Sequence, residues 1–349
     1  MFVRSLASSI ALFLLVSSLS FSQDTDSLRM PQEKHLKNIR QLTFGRQNAE
    51  AYFSFDESKL IFQSERDSFK CDQIFSMSTT GENTTLMSNG FGKTTCSYYL
   101  PGDTSFIFAS TFGGDHACPP PPDYSKGYVW GISKSYDIYK SVVGSNRFEP
   151  MTTTDGYDAE ATVSPMGDKI VFTSVRDNDL EIYTMNLDGS NVKRLTSEVG
   201  YDGGPFFSWD GTQIVYRAHH PKDSTAVNEY QSLLSEGLVR PSKMEIFVMN
   251  ADGSNQRQIT TLNRASFAPF FYPGDKKIIF ASNFNDPKGR NFDLYMINTD
   301  GTGIEQITFN ESFDGFPMFT RDGKKIVFAS NRHGGTQGET NIFIADWIP

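Results

Sequence analysis

The chain has 349 residues, of which 38% are hydrophobic, and it contains 30 phenylalanines and 14 tyrosines. This composition suffices for a large core and favours β structure, because aromatic side chains fit the half-buried surface of a sheet. The formal net charge is −9 and the basic residues form no block. Nucleic acid is therefore excluded as a predicted partner, since nothing would neutralise a run of phosphates.

Residues 1–22 have the pattern of a secretory signal peptide. Arg4 precedes an apolar run over residues 10–16, and mostly small residues follow up to Ser22. The run is too short for a membrane span. We predict cleavage near Ser22 and a periplasmic or secreted protein with no lipid-anchor cysteine and no membrane span. Residues 23–38 are polar and charged, and they are predicted to form a flexible lead-in.

The repeating unit of the chain is clearest in residues 157–196. It contains the strand patterns ATVS, KIVFTS, LEIYTMN and VKRLT, separated by turns that include residues 165–168 and Asp188-Gly189. Alternating β-branched and aromatic residues bounded by Gly, Pro and Asp are typical of hairpins. One four-stranded sheet cannot bury both of its faces, so the unit must be repeated.

Six copies of this unit predict an all-β fold, a six-bladed β-propeller of four-stranded antiparallel blades. The repeats begin with a fourth strand at residues 39–43 and end with a third strand. The N-terminal strand is therefore predicted to complete the last blade and close the ring, which removes an exposed edge. The propeller is assigned to residues 39–349, with third strands at 73–77, 137–141, 181–185, 245–249, 293–297 and 341–345.

Two units carry insertions, at residues 112–136 and 219–243. The second insertion has Tyr230 and Leu233 at helical spacing ahead of Gly237, which predicts a short helix. Both insertions join a second strand to a third strand, so both rise from the same face of the disc. We call this the second face; it also carries the connections from each fourth strand to the next blade. The tight Gly/Asp turns lie on the opposite, first face.

Two sets of residues on the second face are candidates for binding a partner or ligand. The repeated set consists of acids and arginines, which in propeller blades can also cap loops or bridge neighbouring blades, so a scaffold role stays open beside a binding role. The unrepeated set belongs to the insertion after the second strand of unit two. The repeated set is Asp158, Glu160, Asp202, Asp314, Arg176 and Arg332, and the unrepeated set is His116, Tyr128 and Trp130.

Histidines on the second face suggest a metal site as an alternative. His219 and His220 are the candidate pair, with His116 and His333 on the same face. Adjacent residues on a strand point to opposite sides, and no carboxylate spacing accompanies the pair. No cofactor is predicted, and a divalent metal is the alternative.

Three cysteines, Cys71, Cys96 and Cys118, allow at most one disulfide. A bond from Cys96 to Cys71 or to Cys118 is feasible, and three free thiols are the other option. Catalytic signatures are absent from the sequence: it has no Gly-x-Ser-x-Gly elbow, no HExxH, no CxxC, no phosphate-binding glycine loop and no complete EF-hand loop.

The repeat resembles that of TolB-like propellers, also called the WD-like repeat of periplasmic propellers. The resemblance covers about residues 39–346, and the motif is clearest at Ser164-Pro165, 169–172, 182–186 and 322–332. It implies a six-bladed propeller. Similar repeats occur in periplasmic TolB, which binds an outer-membrane lipoprotein, in prolyl-oligopeptidase-type enzymes, and in oligogalacturonate lyases, whose propellers hold a metal through histidines.

Two function hypotheses follow. The first is a monomeric, non-catalytic, exported propeller that binds a protein or glycan of the cell envelope through the insertion-bearing face. The absent catalytic motifs and the aromatic loop around Tyr124, Tyr128 and Trp130 favour it. The alternative is a metal-dependent polysaccharide lyase or hydrolase that uses propeller histidines.

Overall fold

The computed structural model describes residues 27–66 and 68–349, so the predicted signal peptide lies outside the described residues. Six four-stranded antiparallel sheets form the six predicted blades. Blade one contains β2 (Gln47–Phe53), β3 (Lys59–Glu65), β4 (Gln73–Ser78) and β5 (Thr85–Leu86). Blade two contains β6 (Thr94–Tyr99), β7 (Ser105–Ser110), β9 (Asp137–Val142) and β10 (Phe148–Pro150). Blade three contains β11 (Asp158–Val163), β12 (Lys169–Ser174), β13 (Glu181–Asn186) and β14 (Lys193–Arg194).

The remaining blades repeat this order. Blade four contains β15 (Tyr201–Phe207), β16 (Gln213–His219), β18 (Glu245–Asn250) and β19 (Arg257–Gln258). Blade five contains β20 (Ser266–Phe271), β21 (Lys277–Ser282), β22 (Asp293–Asn298) and β23 (Glu305–Gln306). Blade six contains β24 (Asp314–Phe319), β25 (Lys325–Ser330), β26 (Asn341–Trp347) and β1 (Leu36–Gln41).

Each blade is held by an aromatic pair between its second and third strands. The two rings are direct cross-strand partners, with centroids between 5.6 and 6.1 Å apart. The second-strand ring is fully buried in every blade. Such pairs contribute about 0.5–1.5 kcal/mol each beyond the area they bury. The pairs are Phe62–Phe75, Phe108–Tyr139, Phe172–Tyr183, Tyr216–Phe247, Phe280–Tyr295 and Phe328–Phe343.

The ring closes through the N-terminal strand, as predicted. β1 pairs with β26 antiparallel, and the Leu42 N–H donates to the Ile342 carbonyl at 2.8 Å. At the end of the predicted lead-in nearest the propeller, Glu33 is fully buried. Its carboxylate accepts hydrogen bonds from Arg332 of blade six at 2.9 and 3.1 Å. A charge pair across the ring closure, which composition does not reveal, fixes this segment.

The two insertions meet above blade three. The predicted helix is α1 (Ser224–Ser235), capped by Asp223, whose side chain accepts from the Ala226 N–H. Beyond it, β17 (Leu238–Val239) pairs antiparallel with β8 (Trp130–Gly131) of the other insertion. This two-stranded ribbon, together with α1, is called the roof below. Among the described residues, no helix has the length and hydropathy needed to cross a bilayer.

One disulfide ties the first insertion to blade one. Cys71 and Cys118 are bonded, with Cα atoms 6.0 Å apart, and Cys96 is free. The feasible pairings through Cys96 are therefore wrong. Cys96 lies inside the first strand of blade two, whereas Cys71 and Cys118 belong to loops that meet on the second face.

Candidate functional site

The first strand of every blade begins near the second face with a buried polar residue. All six side chains are at most 1% exposed. Each lies beside the residue that ends or follows the second strand of its own blade. We call this set the anchor ring: Asn48, Thr94, Asp158, Asp202, Ser266 and Asp314.

The predicted acids and arginines pair with each other in the anchor ring. Arg176 donates to both oxygens of Asp158 at 3.0 and 3.1 Å. Arg332 is 1% exposed and donates to Asp314 at 3.0 Å as well as to Glu33. Removing one partner of such a buried pair leaves an uncompensated charge. These contacts favour the scaffold interpretation for these four residues.

Asp202 of the anchor ring pairs with His220 instead of an arginine. Nε2 of His220 lies 3.0 Å from Asp202 Oδ1, and its Nδ1 lies 3.5 Å from Glu198. Burial lowers the pKa of His220, but the hydrogen bond and charge of Asp202 outweigh burial and raise it. Burial lowers the pKa of the neighbouring His219.

A second ring of residues lies two positions further along the same strands. Every first strand has a register shift here, and every residue at this position has φ between +47° and +59°. This is a β-bulge, which re-aims a side chain relative to regular pairing. We call this set the bulge ring: Glu50, Cys96, Glu160, Gly204, Ala268 and Phe316.

Glu160 of the bulge ring has all of its hydrogen-bonding capacity used. It accepts from the Thr173 hydroxyl at 2.7 Å and from the Gly204 N–H at 2.9 Å. Arg217 of β16 forms an ion pair with it and also donates to the Tyr201 hydroxyl at 2.6 Å. Arg217 fits because the bulge residue of its own blade is glycine: a Cβ on Gly204 would collide with the guanidinium.

Glu50 lacks such compensation. Its hydrogen-bond partner is the thiol of Cys96 on the neighbouring blade. Burial raises its pKa to about 7, the Cys96 hydrogen bond opposes this, and the charge of Glu160 adds to it. Burial also raises the pKa of Cys96 well above its ordinary value, so the thiol is protonated at neutral pH. This pair offers a carboxylate that a new cation would stabilise, but no activated nucleophile.

The roof packs over the polar side of the bulge ring. The Trp130 ring lies 5.2 Å from the Arg217 guanidinium carbon, and its centroid is 6.4 Å from that of Tyr201. Trp130 donates from Nε1 to the Tyr128 hydroxyl at 3.2 Å, and Tyr128 itself is 69% exposed. The two predicted insertion aromatics therefore differ: Trp130 packs against Arg217 and Tyr201, whereas Tyr128 faces outward.

Blades five and six supply an aromatic wall opposite these polar groups. Phe267 lies against Phe292, Phe313 and Phe316, with ring centroids between 5.1 and 6.3 Å apart. Phe267, Phe313 and Phe316 are half-buried. The channel mouth at the second face thus has one polar side and one aromatic side.

The opposite end of the channel is apolar. Near the first face, a cavity is lined by aromatic or aliphatic side chains from all six blades. Tyr52 and Phe206 have centroids 5.4 Å apart, and Phe206 lies equally far from Phe270. Representative lining residues are Phe53, Tyr98, Val163, Phe206, Phe270 and Met318.

The predicted histidine set is distributed over several blades. His116 stacks on Phe91 at 4.6 Å between blades one and two. His219 ends the second strand of blade four and His220 follows it, and His333 lies in the loop after β25 of blade six. Within residues 27–66 and 68–349, no group of three or more His, Cys, Asp or Glu side chains is arranged to hold a metal ion.

Exposed aromatic side chains concentrate on the second face. In the part of the chain that the structure describes, five Phe or Tyr side chains are at least 36% exposed, and all five belong to second-face loops. The first face exposes aliphatic residues such as Met166 instead. The five are Phe44, Phe91, Tyr124, Tyr128 and Phe284.

Sequence reasoning missed several members of the channel mouth, namely Cys96, Tyr201, Gly204, Arg217 and Phe316. Cys96, Gly204 and Phe316 each follow a polar anchor by two residues, as the predicted Glu160 does, and this shared offset was the available signal. Arg217 gave no such signal, because it reaches the bulge ring from a second strand.

Comparisons with known proteins agree with the fold. A family model described as the TolB beta propeller domain matches residues 238–344. Among curated proteins, an uncharacterized protein of Agrobacterium fabrum is 25% identical over 179 residues, which is 50% of this chain and 53% of that protein. A dipeptidyl-peptidase 5 of Porphyromonas endodontalis is 23% identical over 182 residues, or 50% of this chain and 23% of the peptidase. The matched region thus spans about half of the first relative and a quarter of the second.

Solved structures show the same fold at low identity. A protein assigned as TolB from Agrobacterium tumefaciens has a TM-score of 0.57 and 17% identity, with 87% of this chain and 91% of that chain covered. TolB from Acinetobacter baumannii has a TM-score of 0.54 and 16% identity, with coverage of 87% and 64%. An oligogalacturonate lyase from Vibrio parahaemolyticus has a TM-score of 0.51 and 13% identity, with coverage of 88% and 93%.

Proposed function

This chain is a TolB-like six-bladed β-propeller, and we propose that it is an exported, non-catalytic protein that binds a protein or glycan partner of the cell envelope through its second face. The observation that carries the proposal is the segregation of the exposed aromatic side chains onto that face. Tyr and Phe supply large contact areas at low conformational cost, and they are enriched at binding surfaces for this reason.

The geometry of the roof supports this proposal. Tyr124 and Tyr128 are 58% and 69% exposed, yet they stand on a segment that the disulfide and the β8–β17 pairing hold in place. A fixed aromatic surface loses little entropy on binding. The proposal includes no cofactor, and the chain acts as a monomer.

The test compares three proteins in pull-downs from envelope extract and on a glycan array. Wild type should capture a partner that the Tyr124→Ser/Tyr128→Ser variant loses or binds at least about tenfold more weakly, as expected for loss of central aromatic anchors. Met166→Ser, at a first-face residue of similar exposure (68%), is the matched control and should behave as wild type.

Two results would contradict the proposal. Identical partner and glycan profiles for all three proteins would remove the role of the second face. A tightly bound divalent metal, found by elemental analysis and lost in His219→Ala/His220→Ala, would instead favour the metal-dependent lyase or hydrolase.

A further inference from the structure

The channel mouth at the second face has the features of a ligand site. Four of its side chains, Glu50, Cys96, Glu160 and Phe316, are half-buried, so each keeps some contact with solvent. Polar groups come from blades one to four, and aromatic rings come from blades five and six. Such a lining suits a ligand with one charged end and one apolar side.

The charges in the mouth do not balance. Arg217 and Glu160 neutralise each other in a contact that Tyr201 also joins. Glu50 remains as an additional carboxylate, and the nearby charges that act on it include those of Glu160 and Asp72, with Arg217 as the opposing cation. Because Asp72 pairs with Lys93, the excess is one negative charge, which a single bound cation would neutralise.

The mouth also has a hydrogen-bond donor without an acceptor. Arg217 is 7% exposed, and in the described part of the chain no group accepts from its Nε–H. A buried donor of this kind costs free energy until an acceptor arrives. The mouth thus lacks both a cation for Glu50 and an acceptor beside Arg217.

The aromatic wall lies next to the strand that carries Glu50. Blade six is adjacent to blade one, and β24, which carries Phe316, packs against β2, which carries Glu50. An apolar stem beside Phe316 would place its terminal charge near Glu50. Aromatic faces also attract organic cations.

We propose that the channel mouth binds the ammonium or guanidinium group of a lysine or arginine side chain of a protein partner, with Glu50 as the counter-ion and Phe316 packing against the aliphatic stem. This inference rests on the proposed function and deepens it, because it selects a protein and states which group of the partner enters the channel. An anion is disfavoured because it would lie beside two carboxylates, Glu50 and Glu160, and a neutral carbonyl oxygen of the partner would suffice as the acceptor for the Arg217 Nε–H.

A metal ion fits the mouth less well than an organic cation. The Glu160 oxygens already accept from Thr173, the Gly204 amide and Arg217. In the described ranges, no set of three ligating side chains is close enough to form a metal site. A basic side chain needs one carboxylate and an apolar surface, and both are present.

Binding should strengthen as the pH rises. The Glu50 pKa is about 7, and a cation prefers the ionised form. Cys96 and Tyr52 stay protonated between pH 6 and 8, because burial raises the pKa of both, and Arg217 stays cationic. The carboxylates of Glu160 and Asp72 also act on Glu50. The affinity should therefore fall about tenfold from pH 8 to pH 6, in proportion to the ionised fraction of Glu50.

The experiment titrates the full chain with three probes by NMR: N-acetyl-lysine amide, its uncharged analogue N-acetyl-norleucine amide, and glucosamine. The lysine probe should shift resonances of the channel mouth, and the other two should bind at least tenfold more weakly. Glu50→Gln should abolish the pH dependence and weaken the lysine probe at least tenfold at pH 8. Glu82→Gln, at an exposed glutamate of the first face, is the matched control.

Equal binding of the lysine and norleucine probes, or an unchanged affinity in Glu50→Gln, would overturn the inference. Preferred binding of glucosamine would replace it with an amino-sugar site. Thermal melting of each variant establishes that it is folded. Phe316→Leu, which keeps an apolar surface, should retain more affinity for the lysine probe than Phe316→Ser. If these titrations fail while the Tyr124/Tyr128 pull-down succeeds, this inference fails and the proposed function stands.

Discussion

The anchor ring and the bulge ring lie two residues apart on the same six strands, yet their environments differ. Every anchor residue is polar and fully buried, whereas four of the six bulge residues are half-buried beside the channel. The charged anchors have ion-pair partners. The partner of Glu50 in the bulge ring is instead the thiol of Cys96. The difference indicates that anchor charges hold the blades, whereas in the bulge ring Glu160 is paired with Arg217 and Glu50 is the carboxylate available to a ligand.

The strongest test of the anchor ring is Arg332→Ala. It leaves Asp314 and Glu33 buried without a cation, so we expect a loss of about 3–5 kcal/mol in the free energy of unfolding. Chemical denaturation measures it. Arg147→Ala, at a side chain that is 82% exposed, should cost less than about 1 kcal/mol. A similar small loss for Arg332→Ala would show that the anchor ring does not hold the blades.

Glu50→Gln should change the free energy of unfolding in the opposite direction and make the protein more stable. A carboxyl group whose pKa is raised in the folded protein, here from 4.5 to about 7, makes the fold less stable as the pH rises between these values. The variant should therefore be more stable than wild type by about 3 kcal/mol at pH 8, and nearly equal to it at pH 4.5. Denaturation curves at both pH values check this. A destabilised variant at pH 8 would place Glu50 with the anchor residues.

Gly204→Ala tests how Arg217 reaches the bulge ring. A methyl group would displace the guanidinium, and alanine is disfavoured at the observed φ of +59°. We expect a loss of about 2 kcal/mol in unfolding free energy, since a non-glycine residue costs roughly 1–2 kcal/mol in this conformation. The reciprocal change at the same ring position, Ala268→Gly, should alter stability by less than about 1 kcal/mol. Equal losses of unfolding free energy in the two variants would mean that glycine has no special role at position 204.

The smallest expected effect concerns the adjacent histidines. His220 has a raised pKa, so its pairing with Asp202 stabilises the fold below pH 6.5 and is lost as the pH rises through the raised value. His219 has a lowered pKa and should destabilise the fold as the pH falls below 6.5. His220→Asn should therefore lose about 1 kcal/mol more at pH 5.5 than at pH 8.5, whereas His219→Asn should lose less at pH 5.5. Melting temperatures at both pH values test the two signs.

Local patterns in the sequence predict the blades well. Alternation in segments such as 169–174 and turns such as Asp188-Gly189 depend on neighbouring residues, so six copies, the ring closure and the helix before Gly237 all follow from them. The channel mouth depends on distant residues. The bulge shifts each first strand by one residue, which a strict alternation does not show, and Arg217 enters a gap that exists because Gly204 has no Cβ.

Contacts between segments far apart in the sequence explain the other differences between prediction and structure. In the sequence, Glu33 looks like part of a polar lead-in, because its partner Arg332 is 299 residues away. Only the fold brings the two side chains together. The Cys71–Cys118 bond likewise depends on how two second-face loops approach each other. Neither contact has a signature within its own segment.

The closure of blade six also sets an order for biogenesis. β1 is among the first segments to be synthesised, but its partner β26 is among the last, and contacts such as His35 to Ile348 span 313 residues. At roughly 5–20 residues per second, the N-terminal strand waits roughly 15–60 s for its partner. During that interval its backbone edge is unpaired, so a chaperone that covers this strand should raise the yield of closed rings more than one that covers any interior blade.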